Sequence, residues 1–215
     1  MKEKLPINPW LKIWTSPRET IRAVVGFNPK YLFYLLAAIY GFTMLLQLAQ
    51  DFSLGLGMSV AWIVGVALVL SVGLGALVFN IFAALLYWTG KWVGGAGSFA
   101  HVKAAVAWAY VPSLVNTVIW LVMIAIFGSQ VFMATFADTV FTGYQLPVVF
   151  FGMLAQVVAS VWGFFIGLQT LAEVQGFSAW KALLNILIPF FMLMLTFWFV
   201  SWILYRLMEV QAPIS

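Results

Sequence analysis

From Phe52 to Gly90 the chain carries no charged residue. A helix crosses a hydrocarbon core of about 30 Å with about 20 apolar residues. The stretch is therefore too long for one straight span and too short for two. It reads as a single long, tilted helix over 58–88, preceded by the glycine-rich turn "SLGLG" at 53–57. A soluble fold is excluded: 7% of the residues are charged and 65% are hydrophobic, against about 25% charged in globular domains. In lipid every backbone group must be satisfied within its own segment, so the spans are helices.

The remaining apolar runs give four more spans, at about 31–50, 104–127, 146–172 and 182–205. The third is closed by "FGSQ". The expected fold is an all-α integral membrane protein with five transmembrane helices. Basic residues set its direction. Lys2, Lys4, Lys12, Arg18, Arg22 and Lys30 precede the first span, Lys91 and Lys103 lie between the second and third, and Lys181 lies between the fourth and fifth. The opposite connections, 51–57 and 128–147, hold Asp51 and Asp138 but no lysine or arginine, and only Arg206 lies at the far end. The positive-inside rule puts the N-terminus in the cytoplasm and the C-terminus outside. The chain divides into a cytoplasmic amphipathic segment (1–30), a five-span membrane domain (31–206) and a short external tail (207–215).

About thirty mixed residues precede the first apolar run. That is unlike a cleavable signal peptide, and the whole chain is expected in the mature protein. The external segment 128–147 is apolar enough to lie on the outer surface as a short helix.

The N-terminal segment contains Asn8-Pro9, Ser16-Pro17 and Asn28-Pro29. Each pair sets a favoured N-cap before a proline at the first helical position. Two short helices are expected, at about 9–15 and 17–25. Ser16 and Glu19 have capping-box spacing, Gly26 is a natural stop, and Asn28 is placed to cap the first span. In projection Trp10, Trp14, Pro17, Ile21, Val24 and Val25 share one side, with Lys12, Arg18, Glu19 and Arg22 on the other. A basic amphipathic stretch with two tryptophans suits a helix in the membrane interface. It either anchors the first span and sets topology or docks a partner, with Trp10, Trp14, Arg18 and Arg22 as the candidate contacts.

Two inward-facing connections resemble each other: "GSFAHVKAAVAWAYVP" (97–112) and "GFSAWKALLNILIP" (176–189). Setting Phe99 on Phe177 aligns Lys103-Ala104 with Lys181-Ala182 and brings Pro112 within one residue of Pro189. This is either a chance likeness or a parallel repeat of two hairpins. Small residues recur every fourth position, at Ala67, Ser71 and Gly75 and at Ala155, Ala159, Gly163 and Gly167. Such stripes permit close helix approach, within one bundle or in a homodimer.

No charge falls well inside a span. The intramembrane polar and kink candidates are Asn80, Asn116, Gln156 and Asn185, with Pro112 and Pro189; Gln47 is also polar. The amides either satisfy backbone freed by the prolines, bond across helices, or line a polar path. His101, Lys103 and Lys181 are candidate partner or lipid contacts; His101 with Lys103 could meet an anionic head group beside "GGAGS", or belong to a solvated loop. With no cysteine and one histidine, a zinc site is not expected. "GGAGS" is not a phosphate loop and "TGK" at 89–91 lacks its upstream glycine. No GxSxG or HExxH occurs. Neither an enzyme, a cofactor nor nucleic-acid binding is expected.

The motif "W..TSPRETIR...NP" (Trp14, Ser16, Pro17, Arg18, Arg22, Asn28, Pro29), with "GGAGSFAHVKAAVAWAYVPSL" after the second span and "LAEVQGFSAWKALL" after the fourth, resembles bacterial members of the Yip1 family. The resemblance covers nearly the whole chain and implies five spans in the bacterial cytoplasmic (inner) membrane. Eukaryotic Yip1-like proteins act in vesicle traffic with prenylated Rab-type GTPases. Their tyrosine-glycine-proline signature ahead of the first span is missing here, so GTPase binding is not carried over. Two readings remain: a non-catalytic membrane protein that organises or recruits partners at the cytoplasmic face, through residues 9–25 and the loops around 91–103 and 173–181, or a small transporter, channel or lipid-handling protein using the spans' prolines and amides.

Overall fold

The computed structural model describes residues 5–211. Two short helices, α1 (Pro9–Lys12) and α2 (Pro17–Phe27), precede α3 (Phe33–Asp51), α4 (Val60–Trp92), α5 (Phe99–Ala109), α6 (Leu114–Phe127), α7 (Gln145–Gln175) and α8 (Ala179–Gln211). There is no strand among the described residues. Five segments are long and apolar enough to cross a membrane: α3, α4, α5 with α6, α7 and α8. At 1.5 Å per residue the 33 residues of α4 reach about 50 Å, so this helix must tilt or project from a core of about 30 Å.

The helix starts follow the serines. The Ser59, Ser98 and Ser178 hydroxyls accept from the N–H of Trp62, His101 and Lys181 at 3.3, 3.3 and 3.4 Å, each satisfying a first-turn amide. Ser98 and Ser178 hold equivalent places at the starts of α5 and α8. This sets the two connections in a register two residues away from the one that superposes Phe99 on Phe177. The third span also breaks at a 3₁₀ turn over Val111–Ser113, whereas α8 runs on through Pro189.

The small-residue stripe of α4 faces α3. A Cβ on Gly41 would strike the Ser71 carbonyl, and one on Gly75 the Ala37 carbonyl. Beyond this contact Tyr40, Phe79 and Tyr110 gather, with ring centroids 4.7 to 5.2 Å apart. The stripe of α7 faces the third span, where a Cβ on Gly163 would lie 3.4 Å from Ala109 O. Between Phe190 and Arg206 every residue of α8 is exposed, so its far half stands clear of the bundle.

Several local expectations are corrected. The capping box does not form: Ser16 makes no side-chain cap bond, and Glu19 pairs with Lys12 at 3.2 Å. α1 is a single turn, capped by Asn8 through Trp10 N–H at 3.1 Å. Gly26 lies inside the last turn of α2, which ends at extended Asn28. Asn28 does not cap the first span. Its side chain accepts from Lys30 N–H at 2.9 Å, and α3 begins only after Leu32, whose φ of 55° turns the chain. The segment after α6 is not one short helix. It forms 3₁₀ turns over Gly128–Phe132 and Ala134–Asp138, with Val131 and Phe132 buried. These turns fold over the end of α3: Gln50 Nε2 donates to Val131 O, and Ala134 N–H to Ser53 Oγ. Residues 207–211, expected in a tail, continue α8; Lys2 and Lys4 lie outside the described residues.

Replacing Gly75 by leucine is expected to cost about 1–3 kcal/mol, the usual penalty of forcing side-chain volume into a packed contact. Leucine at Gly73, where a Cβ meets nothing within 4 Å, should leave stability nearly unchanged. Denaturant titration of the two variants in detergent checks the contrast.

Candidate functional site

The end of the bundle that carries α1 and α2 gathers most of the chain's charge. α2 lies across α5 and α7 with Thr20, Ile21 and Val24 fully buried. Its amphipathic face therefore meets protein. The basic side of the same helix is tied to α7: Arg18 Nε donates to Gln169 Oε1, and Arg22 Nε to Glu173 Oε1 at 2.7 Å. The Glu173 hydrogen bond, reinforced by its charge, raises the Arg22 pKa above the ordinary guanidinium value. Trp162 Nε1 donates to Trp14 O at 3.2 Å. Trp10 and Tyr31 cover buried Trp108, with centroids 5.4 and 6.3 Å away.

Beneath this layer lies a polar knot that sequence reasoning missed. Gln175, at the end of α7, is 1% exposed. Its Oε1 accepts from Gly97 N–H at 3.1 Å, its Nε2 donates to Leu86 O at 3.3 Å, and its own carbonyl accepts from Ala96 N–H at 2.9 Å. Three glycines make room for it, because a Cβ on Gly90, Gly95 or Gly97 would collide with its amide. The "GGAGS" run is thus a cradle for a glutamine. The spacing of those glycines was the available signal, but nothing in the sequence pairs them with residue 175.

Next to Gln175, Asn185 of α8 meets Thr89 of α4. The Thr89 hydroxyl lies 2.6 Å from Asn185 Oδ1, 3.2 Å from Asn185 O and 2.8 Å from Leu85 O, and its one proton serves one of these at a time. Pro189 has no N–H to return to the Asn185 carbonyl four residues earlier, and Thr89 stands at that opening. Asn185 Nδ2 has no hydrogen-bond partner among the described residues.

The other candidates at this end surround the 93–98 connector. Lys91 lies over the Tyr87 ring at 4.4 Å and Lys103 over Phe33 at 4.9 Å. Lys181 is exposed, its Nζ 3.7 Å from where a Cβ on Gly94 would stand. His101 is half-buried in the first turn of α5.

The intramembrane candidates separate. Asn80 Nδ2 bonds its own helix at Ala76 O, 2.7 Å away. Asn116, Gln156 and Pro189 line cavities. One, of about 470 Å³, lies between α4, the third span, α7 and α8; a second, of about 450 Å³, runs towards Gln47, Gln50 and Asp51. Asn116 and Gln156 line both. Pro112 is buried at the break in the third span.

The Yip1 domain family model matches residues 11–201. The chain belongs to the Yip1 family. The match takes in α2 and its dock and reaches into all five spans. Yip1-family proteins are in general non-enzymatic membrane proteins, and membership suggests that class of role here. Comparison with curated proteins and with solved structures finds no match.

Gln175→Ala leaves the part-buried Gly97 N–H without its partner and removes the second bond to the Leu86 carbonyl, which costs about 1–3 kcal/mol. The variant is expected to melt earlier and to be cut faster by protease within residues 93–98. Unchanged cleavage there would show that the amide does not hold the connector.

Proposed function

We propose that this Yip1-family chain is a non-catalytic membrane protein that recruits or organises acidic partners at the cytoplasmic face. The observation that supports this reading is the charge balance of the α1–α2 end. The acidic side chains described there, Glu19 and Glu173, are taken up by Lys12 and Arg22. Arg18, Lys30, Lys91, Lys103 and Lys181 have no carboxylate partner among the described residues. A surface with one sign of charge left over steers and holds ligands of the opposite sign. The basic-residue bias places this end in the cytoplasm.

Arg18 and Arg22 contribute by fastening α2 to α7, which keeps α2 and the connectors at 93–98 and 176–178 in one fixed face. The lysines around the connectors are the contact groups. Exposed Trp92 and Trp180 suit the head-group level, where tryptophan is enriched.

The test is isolation of the tagged full-length protein from its native membrane in mild detergent, alongside a Lys91→Glu/Lys181→Glu double variant. A co-purifying acidic protein that is lost in the variant and released by salt, with melting unchanged, is the expected result. Identical partner sets for both proteins at all salt concentrations would overturn the reading.

A further inference from the structure

Lys91 and Lys103 come from different spans, and a run of aromatic rings joins them. Lys91 Nζ lies 4.4 Å from the Tyr87 centroid, and Tyr87 meets Phe99 edge-on at 5.9 Å. Lys103 Nζ in turn lies 5.5 Å from Phe99 and 4.9 Å from Phe33. The start of α3, the end of α4 and the start of α5 thus build one aromatic floor with a lysine at either side. A ring face holds an ammonium in place but gives its three N–H groups no oxygen. Neither ammonium reaches a hydrogen-bond acceptor or a carboxylate among the described residues.

Below Lys91 an apolar stripe descends α4. Leu77, Ile81, Ala84, Trp88 and Lys91 follow at alternating steps of four and three residues, which sets them on one face. Leu77, Ile81 and Trp88 are 54%, 50% and 62% exposed. The stripe is about 21 Å long, enough to cross one leaflet of a core of about 30 Å. Exposed Trp88 and Trp92 flank its charged end, as tryptophan does at head-group level.

We propose that Lys91 and Lys103 form a site for an anionic glycerophospholipid of the cytoplasmic leaflet. The head group lies over the Tyr87–Phe99 pair, where its anionic oxygens accept from both lysines, and an acyl chain lies along the Leu77–Trp88 stripe. The rings hold both ammoniums before the ligand arrives, so binding costs less side-chain freedom than at an unrestrained lysine. Charge selects the head: an ethanolamine head would bring a third ammonium between two others. Position selects a lipid, because the stripe continues into the level of the acyl chains, which a soluble acidic protein does not enter. The inference goes beyond the recruitment reading and shares only Lys91 with it.

The experiment uses the purified full-length protein in mild detergent, with no partner present, and phosphatidylglycerol carrying a photoreactive diazirine in one chain. Labelled residues are mapped by peptide mass spectrometry, and labels are expected on α4 between Leu77 and Trp88. Unlabelled phosphatidylglycerol should compete, phosphatidylethanolamine should need about tenfold more, and inorganic phosphate should not compete. Lys91→Gln and Lys103→Gln should each weaken labelling about fivefold, the share of one lysine at a membrane surface. Lys181→Gln, which removes the same charge from the same end, should leave labelling unchanged. Lys91→Arg/Lys103→Arg keeps both cations and should retain it, which separates lost charge from lost fold. Equal competition by phosphatidylethanolamine, competition by inorganic phosphate, an equal loss in Lys181→Gln or undiminished labelling of both single glutamine variants at the lysine pair would overturn the proposal. So would labels spread evenly over the outer faces of α4, α7 and α8, as for annular lipid.

Discussion

Gln175 is buried and spends both ends of its amide on the backbone of other segments, accepting from Gly97 N–H and donating to the Leu86 carbonyl. The 93–98 connector has no helix of its own to satisfy its amides, and those that turn towards α7 must find partners there. By accepting from Gly97 and, through its carbonyl, from Ala96, residue 175 fixes the connector against α7. The neighbouring Thr89–Asn185 contact fixes α8 against α4. Three spans are thereby fastened at one end by side-chain amides and a hydroxyl rather than by apolar packing, which has little to gain between helices already surrounded by lipid.

Fastening at one end has consequences at both. At the α1–α2 end it yields a fixed platform on which α2 can lie, held by Arg18, Arg22 and the Trp14 carbonyl. Towards the other end α8 has no such fastening after Pro189 and diverges, which opens the lateral cavity. α3 and α4 behave differently. They stay close along their length because glycine and serine remove the side chains that would hold them apart, and α6 and its 3₁₀ cap close over their far end.

The spans were legible because length and charge scarcity are one-dimensional signals. The long uncharged run from Phe52 predicted the single helix that α4 forms, and Pro112 marked a real break. The ends of elements were less legible. Ser16 and Glu19 have the right spacing for a capping box, but Lys12 offers Glu19 a full charge, and the hydroxyl cap does not form. Asn28 precedes a proline as a cap should, yet its side chain closes a local turn instead. The amphipathic face of α2 was legible, but whether it met lipid or protein was not. Periodicity reports that a face is buried and says nothing of what covers it. Gln175 was invisible for a related reason: its partners lie 78 and 89 residues away, and a polar residue at a helix end looks the same in sequence whether it meets water or a glycine cradle.

The central claim is that the face built on this knot looks into the cytoplasm. The chain contains no cysteine, so single cysteines can report sidedness without background. Leu11, Trp180 and Val140 are 72%, 75% and 84% exposed, the first two at the α1–α2 end and the third in the opposite connection. Cysteine at each should be reacted with a membrane-impermeant maleimide in intact cells and in inverted vesicles. The account predicts that Val140→Cys is labelled in intact cells, and that Leu11→Cys and Trp180→Cys are labelled only in inverted vesicles. Labelling of Leu11→Cys and Trp180→Cys in intact cells, with Val140→Cys protected, would contradict it.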